Sequence, residues 1–432
     1  MTQHKTTASM LRGTPYWMED TVYPPTSEHL SGSADLLIIG AGYTGLSAAI
    51  EARRLGLSVT VVDRELMGAG CSSRNGGQVS DGMKPSLGKL SRRLGAEIAD
   101  RIYRDAYDAV EYLRGLVCDP DLDVGYQPSG RFQGAHSEKQ FRLLSEFVER
   151  SAAQSPYRYS VIQRRDQRSE IGSDRYFGGI VNHDLFAVHP GKLHAALLSR
   201  ALRGGVTVVE QADALSIEKR SVGFSTKTSK GSVASRHVLV ATNGYTSPVF
   251  PWGRRRIIPI GTYMLATREL TPEQQTTLMP NGRNIVDSRK VVVYYRYSPD
   301  RKRLLFGGRA ALSEVSPQAC LPQLHGMMTD IFPQLEGIGV THNWYGKVGY
   351  TFDHMAHIGC REGIHFALGY CGSGIATSAY YGNRIARQVA GVNEPAPAIY
   401  NLPFKTAPLY RGTPWFLAPS IIYYQMIDTY FS

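Results

Sequence analysis

The feature that most constrains this 432-residue chain is a glycine pattern, Gly40, Gly42 and Gly45 in the order G-x-G-x-x-G, set between two apolar stretches. With 44 glycines in the chain, roughly 0.4 such patterns would arise by chance, so the flanking residues decide what it means. Residues 35–39 are a short, largely apolar run ending in two β-branched isoleucines, the profile of a buried parallel strand. Residues 44–55 are rich in Ala and Leu and read as a helix closed by Gly56; residues 59–62 read as a second strand. That is a β-α-β unit in under about 30 residues, near the minimum for a right-handed crossover. In such a unit Gly40 makes the tight turn, and Gly42 lets the backbone approach a pyrophosphate at the helix N-terminus, which Tyr43 and Thr44 open. Gly45 packs helix on strand, while Asp63, with Arg64 beside it, accepts from ribose hydroxyls. A dinucleotide site is expected here; the motif alone does not separate FAD from NAD.

Further along, apolar positions from 87 to 110 fall at helical spacing and predict one long amphipathic helix. Residues 190–202 read as a helix, and 206–209 and 237–240 as strands. Between 250 and 310 the character turns to β, with strands at 263–267, 291–295 and 303–306 in a mostly antiparallel sheet. The β-α pattern resumes with a strand at 364–368 and a helix at 375–389. The expected fold is therefore α/β (α+β overall): a Rossmann-like core contributed by both chain ends, interrupted by a β-rich insertion.

Lys and Arg number 48 against 37 Asp and Glu, a net charge of +11. No nucleic-acid module interleaves with the basic clusters, so the charge points to anionic small molecules drawn into a cleft. No run of about 18 apolar residues is present, so no membrane span is expected. Residues 1–17 lack the apolar core of a secretory signal. Five scattered cysteines without a C-x-x-C favour a reducing cytoplasm. His354 and His357 lack partners at ligand spacing, and no metal is expected. The aromatic stretch 415–431 is expected to pack on the body of the protein or on a partner subunit.

Two later segments favour FAD. Residues 238–244 form an apolar strand that runs through Ala241 and Thr242 into a turn at Gly244. A second glycine loop, Gly369 to Gly374 through Gly372 and Ser373, opens the helix that begins at Ile375 and Ala376. Its free amides suit the flavin's pyrimidine edge, which gains negative charge on reduction. No second fingerprint for a nicotinamide is visible. Just after the first β-α-β unit stands Ser72, Ser73, Arg74, Asn75, Gly76, Gly77, Gln78. This signature resembles that of the D-amino-acid-oxidase-like FAD superfamily, in the branch of gamma-glutamylputrescine oxidase with glycine and sarcosine oxidases as relatives. The resemblance continues through Gly130–Arg131–Phe132, His189–Pro190, Tyr294–Tyr295–Arg296 and Gly369–Tyr370, and covers residues 30–405.

The resemblance implies an FAD-dependent oxidase acting on the C–N bond of a small-molecule secondary amine or amino acid that carries an anionic group, giving an imine hydrolysed to aldehyde plus amine, with O2 reduced to hydrogen peroxide. A flavin dehydrogenase passing electrons to a quinone or carrier, or a flavin-binding subunit of a hetero-oligomer, are the alternatives. It implies a discontinuous FAD-binding domain (33–90, 184–250 and 342–405), a substrate domain (91–183 and 251–341) and a C-terminal extension (406–432). By analogy, residues 72–78 and 372–376 line the cofactor, and Ala214 lies on the strand that meets the adenine. Relatives that hold flavin covalently do so through a cysteine; the corresponding position, near Gly346, has none, so noncovalent FAD is expected. Lys347 is the candidate cation beside the flavin, though a surface lysine would read the same. Tyr295 and Arg296 are further catalytic candidates. Tyr294, Arg296 and, with lower weight, Arg309 are candidates for binding an anionic substrate group.

Overall fold

The computed structural model describes residues 11–430 except 121, 152–154 and 310. Phe431, at the end of the expected aromatic stretch, lies outside the described residues. Two eight-stranded sheets organise the chain. The first is built around Ser33–Ile39, whose last four residues are buried, as a strand covered on both faces must be. Parallel neighbours on either side are Val59–Val62, followed by Thr207–Val209, and Gly231–Val240, followed by Ile364–Leu368. His357–Arg361 closes that edge antiparallel, and an antiparallel pair, Ala214–Lys219 with Phe224–Thr228, extends from Gly231–Val240. Helices Tyr43–Arg54, Pro190–Arg203 and Ile375–Val389 cover it, and their apolar faces share one buried cluster with Leu36, Ile38, Val59 and Val61.

The expected helix over 87–110 is two helices, Leu87–Leu94 and Ala96–Val117. Gly95 breaks them, at a φ of 90° that leaves the helical region. Both pack into the cluster around the first sheet, so the expected boundary at 91 runs through a helix that belongs with that core.

The second sheet runs Val340–Tyr350, Ile258–Thr267, Leu304–Gly308, Val293–Tyr297, Asn284–Asp287, Arg131–Gly134, Gly179–Asn182, Tyr159–Ile162. Every pairing is antiparallel except Asn284–Asp287 with Arg131–Gly134. Val340–Tyr350 is paired along ten positions with Ile258–Thr267, so the expected boundary at 342 falls inside a strand of this sheet. The strand expected at 291–295 occupies Val293–Tyr297 instead. Val291 is drawn into a turn, because its amide and that of Lys290 donate to the Asp428 carboxylate (3.0 and 2.8 Å). Asp428 belongs to the C-terminal helix, Leu417–Tyr430, which therefore packs across the end of this sheet. No helix among the described residues is long and apolar enough to cross a membrane.

Candidate cofactor and substrate site

A cavity of about 1310 Å³ opens between the two sheets, and the glycine fingerprint forms one end of it. Gly40 sits at φ 106°, and a Cβ there would come within 2.9 Å of the Ala241 carbonyl oxygen. A Cβ on Gly45 would lie 1.9 Å from the Gly40 carbonyl oxygen, so helix and strand approach only because both are glycine. Gly42 brings no capping side chain of its own, and beyond the Tyr43 amide, which the Ser72 hydroxyl takes, the first turn of the helix is left facing the cavity. Asp63 accepts from the amides of Ala41 (2.8 Å) and Glu65 (3.0 Å). Burial lifts its carboxyl above the ordinary range against these two bonds.

The Ser72 to Gln78 loop is tied down residue by residue. Ser72 Oγ accepts from the Tyr43 amide (3.1 Å), Ser73 Oγ donates to the Gly68 carbonyl, and Arg74 Nε donates to the Ala69 carbonyl (2.7 Å). Asn75 Nδ2 donates to the Ser72 carbonyl (2.9 Å) while its Oδ1 accepts from the Gly77 amide (2.9 Å). Gln78 Nε2 reaches the second sheet, donating to the carbonyls of Tyr295 (2.9 Å) and Ile285 (3.2 Å). Two buried tryptophans hold the loop from behind, Trp17 Nε1 on the Asn75 carbonyl and Trp344 Nε1 on the Arg74 carbonyl, each at 2.8 Å. Sequence reasoning missed both, because a lone tryptophan carries no pattern.

The second glycine loop lies at the other end. Cys371 and Gly372 take positive φ (52° and 81°), and the helix Ile375–Val389 starts at Gly374 with no side-chain cap. A second uncapped helix N-terminus thus faces the same cavity. The two ends are linked by Tyr370, whose hydroxyl meets Thr44 Oγ1 at 2.8 Å.

Most of the expected cofactor residues line this cavity: Gly40, Gly42, Tyr43, Thr44, Asp63, Arg64, Ser72, Ser73, Arg74, Asn75, Gly76, Gln78, Ala214, Ala241, Thr242, Gly372, Ser373, Gly374 and Ile375. Gly45, Gly77, Gly244 and Ala376 stand behind its wall as packing positions; a Cβ on Gly244, for example, would lie 2.9 Å from the Val348 carbonyl carbon. Two helix N-termini with glycine at the N-cap, the glycine cradle and a recessed ribose-side carboxylate fit an extended dinucleotide with a flavin at the Gly372 end.

Three catalytic candidates are displaced from the cavity. Tyr295 points to the far side of its strand, is fully buried against Phe306 and Phe332, and bonds Tyr176 through its hydroxyl (3.0 Å). Arg296 shares a strand face with Tyr294, but the backbone of Gly77 and Val188 roofs it over. Its guanidinium donates to the carbonyls of Val188 (2.9 Å), Gly77 (3.3 Å) and Tyr297 (3.1 Å) and to Gln127 Oε1, so no free edge remains for a substrate. Lys347 alternates with Val348 and Tyr350, which line the cavity, and so faces away, paired with Glu314 at 3.0 Å.

Tyr294 and Arg309 do line it. The Tyr294 hydroxyl meets Thr262 Oγ1 at 3.0 Å. Arg309 follows the Leu304–Gly308 strand, and its Nη2 is buried with no hydrogen-bond partner among the described residues. Burial pulls its pKa down; the phenols of Tyr350 and Tyr424 oppose that. The C-terminal helix closes this end with Ser420 and Tyr424, preceded by Phe416. Gly346 faces Cys71, whose thiol would lie 3.8 Å from a Cβ placed there.

The family of FAD-dependent oxidoreductases designated DAO matches residues 35–388. The chain belongs to this family. A protein of Rhizobium meliloti designated a probable oxidoreductase is 32% identical over 416 residues, spanning 93% of this chain and 96% of the relative. The gamma-glutamylputrescine oxidoreductase of Escherichia coli is 28% identical, spanning 99% of both chains. The solved structure of glycine oxidase from Geobacillus kaustophilus superposes with a TM-score of 0.68 at 19% identity, covering 88% of this chain and 99% of that one. The mixed α/β fold with two large sheets is the fold of these neighbours. The protein is an FAD-dependent oxidoreductase.

Proposed function

We propose that the protein is a cytoplasmic amine or amino-acid oxidase with noncovalently held FAD, acting on the C–N bond of a substrate that carries an anionic group. The observation that carries this reading is Arg309: a guanidinium on the cavity wall with a buried, unpartnered Nη2, near Tyr294 and Tyr350 at the flavin end. A buried donor left unpaired is costly, and a ligand carboxylate or similar group removes that cost through charge-assisted bonds. The five cysteines, all free, agree with a reducing compartment.

Bound FAD supplies the two-electron oxidation of the amine and the onward transfer of those electrons to O2, giving hydrogen peroxide. The chain's own residues position the substrate. Arg309 binds its acid group and so fixes which carbon meets the cofactor. Burial pushes the Tyr294 and Tyr350 hydroxyls up to about 12, so both remain protonated near neutral pH and offer neutral hydrogen bonds to the amine. Phe416 and Tyr424 cover this end of the cavity and limit water around the reacting bond. The resulting imine hydrolyses to a carbonyl compound plus amine. Oxygen uptake with a panel of anionic amines tests this: uptake matched by peroxide supports the oxidase reading. A flavin reduced by the amine but reoxidised only by a quinone or protein carrier overturns the oxidase half.

A further inference from the structure

The second sheet forms the floor of the substrate end, and its register places cations at two opposite corners. Gln133 lies opposite Val286, which lies opposite Tyr294, which lies opposite Gly307. Side chains alternate along a strand, so Arg131, two residues before Gln133, and Arg309, two residues after Gly307, share the face of Val286 and Tyr294. All four of these side-chain-bearing positions line the cavity. Three strand spacings of about 4.8 Å and four residues of about 3.3 Å separate the arginine backbones, about 19 Å along the sheet. Between them the floor is Val286 and the ring of Tyr294, an apolar strip.

Neither arginine pairs with a carboxylate among the described residues. Lys84 adds a cation between the second glycine loop and the Arg131 corner: it lines the cavity, forms no ion pair among the described residues, and lies within reach of Cys371 and, after it, Arg131. Asp81, whose charge also reaches Lys84, accepts from the Met83 amide (3.2 Å) and does not line the cavity. At the opposite corner Arg309 lies within reach of the phenols of Tyr350 and Tyr424. Two unneutralised cationic corners joined by an apolar strip match a ligand with an anionic group at each end and a methylene-rich middle.

We propose that Arg131, with Lys84 beside it, is a second anion subsite, and that the ligand of this cavity is an elongated amine bearing a carboxylate-like group at both ends. As a statement about substrate it rests on the amine-oxidase reading; as a statement about the subsite it stands on the strand register and the cavity lining. Calorimetric titration of the holoenzyme with linear dicarboxylates of increasing length, each beside the monocarboxylate of the same length, tests it. The expected result is one chain length at which the dicarboxylate binds at least tenfold more tightly than its monocarboxylate partner. Arg131→Met should cancel that advantage, and Lys84→Met should reduce it several-fold, which keeps the test decisive if one variant folds poorly. Dicarboxylates no tighter than monocarboxylates at any length, or an advantage that survives both substitutions, would overturn the proposal. If dicarboxylates show this preference while no amine reduces the flavin, the subsite stands and the oxidase reading falls.

Discussion

Arg296 is the residue whose sequence reading and structural position diverge most, and its replacement separates the two. In the structure it is a buried tie-rod: 2% exposed, donating to three carbonyls and the Gln127 side chain, and clamping the Gly77 turn of the cofactor loop to the strand Val293–Tyr297. Burial draws its pKa down, and the four surrounding oxygens favour the charged form. Arg296→Met keeps most of the stem and deletes the donors. The Gly77 carbonyl still accepts from the Val188 amide (2.9 Å), whereas the Val188 and Tyr297 carbonyls and Gln127 Oε1 lose the Arg296 donor. Three acceptors, the Gln127 oxygen among them only half-buried, at the low end of roughly 1–3 kcal/mol each give a loss of about 3 kcal/mol once local relaxation is allowed. If about half of that is felt by the loop, FAD binding weakens about tenfold. Thermal unfolding and FAD titration of the apoprotein read both effects, and amine KM in flavin-saturated enzyme should change little. Unchanged melting and FAD affinity with a KM raised tenfold or more for anionic substrates would refute this reasoning and restore Arg296 as a substrate clamp.

Other expectations follow from the same geometry. Arg309→Met should raise KM for an anionic amine about 10- to 100-fold, from loss of roughly 1.5–3 kcal/mol of charged hydrogen bonding, with the flavin spectrum unchanged. Asp428→Ala removes both bonds that anchor the C-terminal helix to the Lys290–Val291 turn; limited proteolysis should then cut ahead of Leu417 faster, with altered substrate KM. Burial lifts Asp287 to about 7, with Arg289 only partly opposing it. Its folded pKa exceeds the unfolded one, so the folded state holds the extra proton between about pH 4 and 7 and stability falls as pH rises through that window. Asp287→Asn should therefore gain stability relative to the parent at pH 8 compared with pH 5, measured by melting temperature; a pH-independent difference would contradict this.

The first β-α-β unit and the helix at 375–389 were legible because strand burial, helix period and glycine spacing all act within a few residues. The strand Ile364–Leu368 was legible for the same reason. The split at Gly95 was not, since the apolar period runs through it unbroken and only the backbone turns. Strand alternation puts Tyr295 opposite Tyr294, yet parity alone does not say which face meets the cavity. Arg296 stands on the correct face and was hidden by a loop more than 200 residues earlier in the chain, a contact no local pattern carries. Arg131 sat in a motif noticed for its resemblance alone; its place opposite Arg309 emerges only from the parallel pairing of Arg131–Gly134 with Asn284–Asp287. The aromatic stretch 415–431 was expected to pack on the body or on a partner subunit; that it is a helix closing the cavity depends on Asp428 capturing a turn far away in sequence.

The central claim is that this cavity holds FAD and presents it to an anionic amine. The most direct measurement is the visible spectrum of the purified protein, followed by anaerobic titration with amines that carry one or two carboxylates. The account predicts the absorbance bands of bound oxidised flavin, bleached by at least one of these amines and released from the protein on acid precipitation. A colourless protein that neither retains nor rebinds FAD, or a flavin that no amine bleaches, would contradict it.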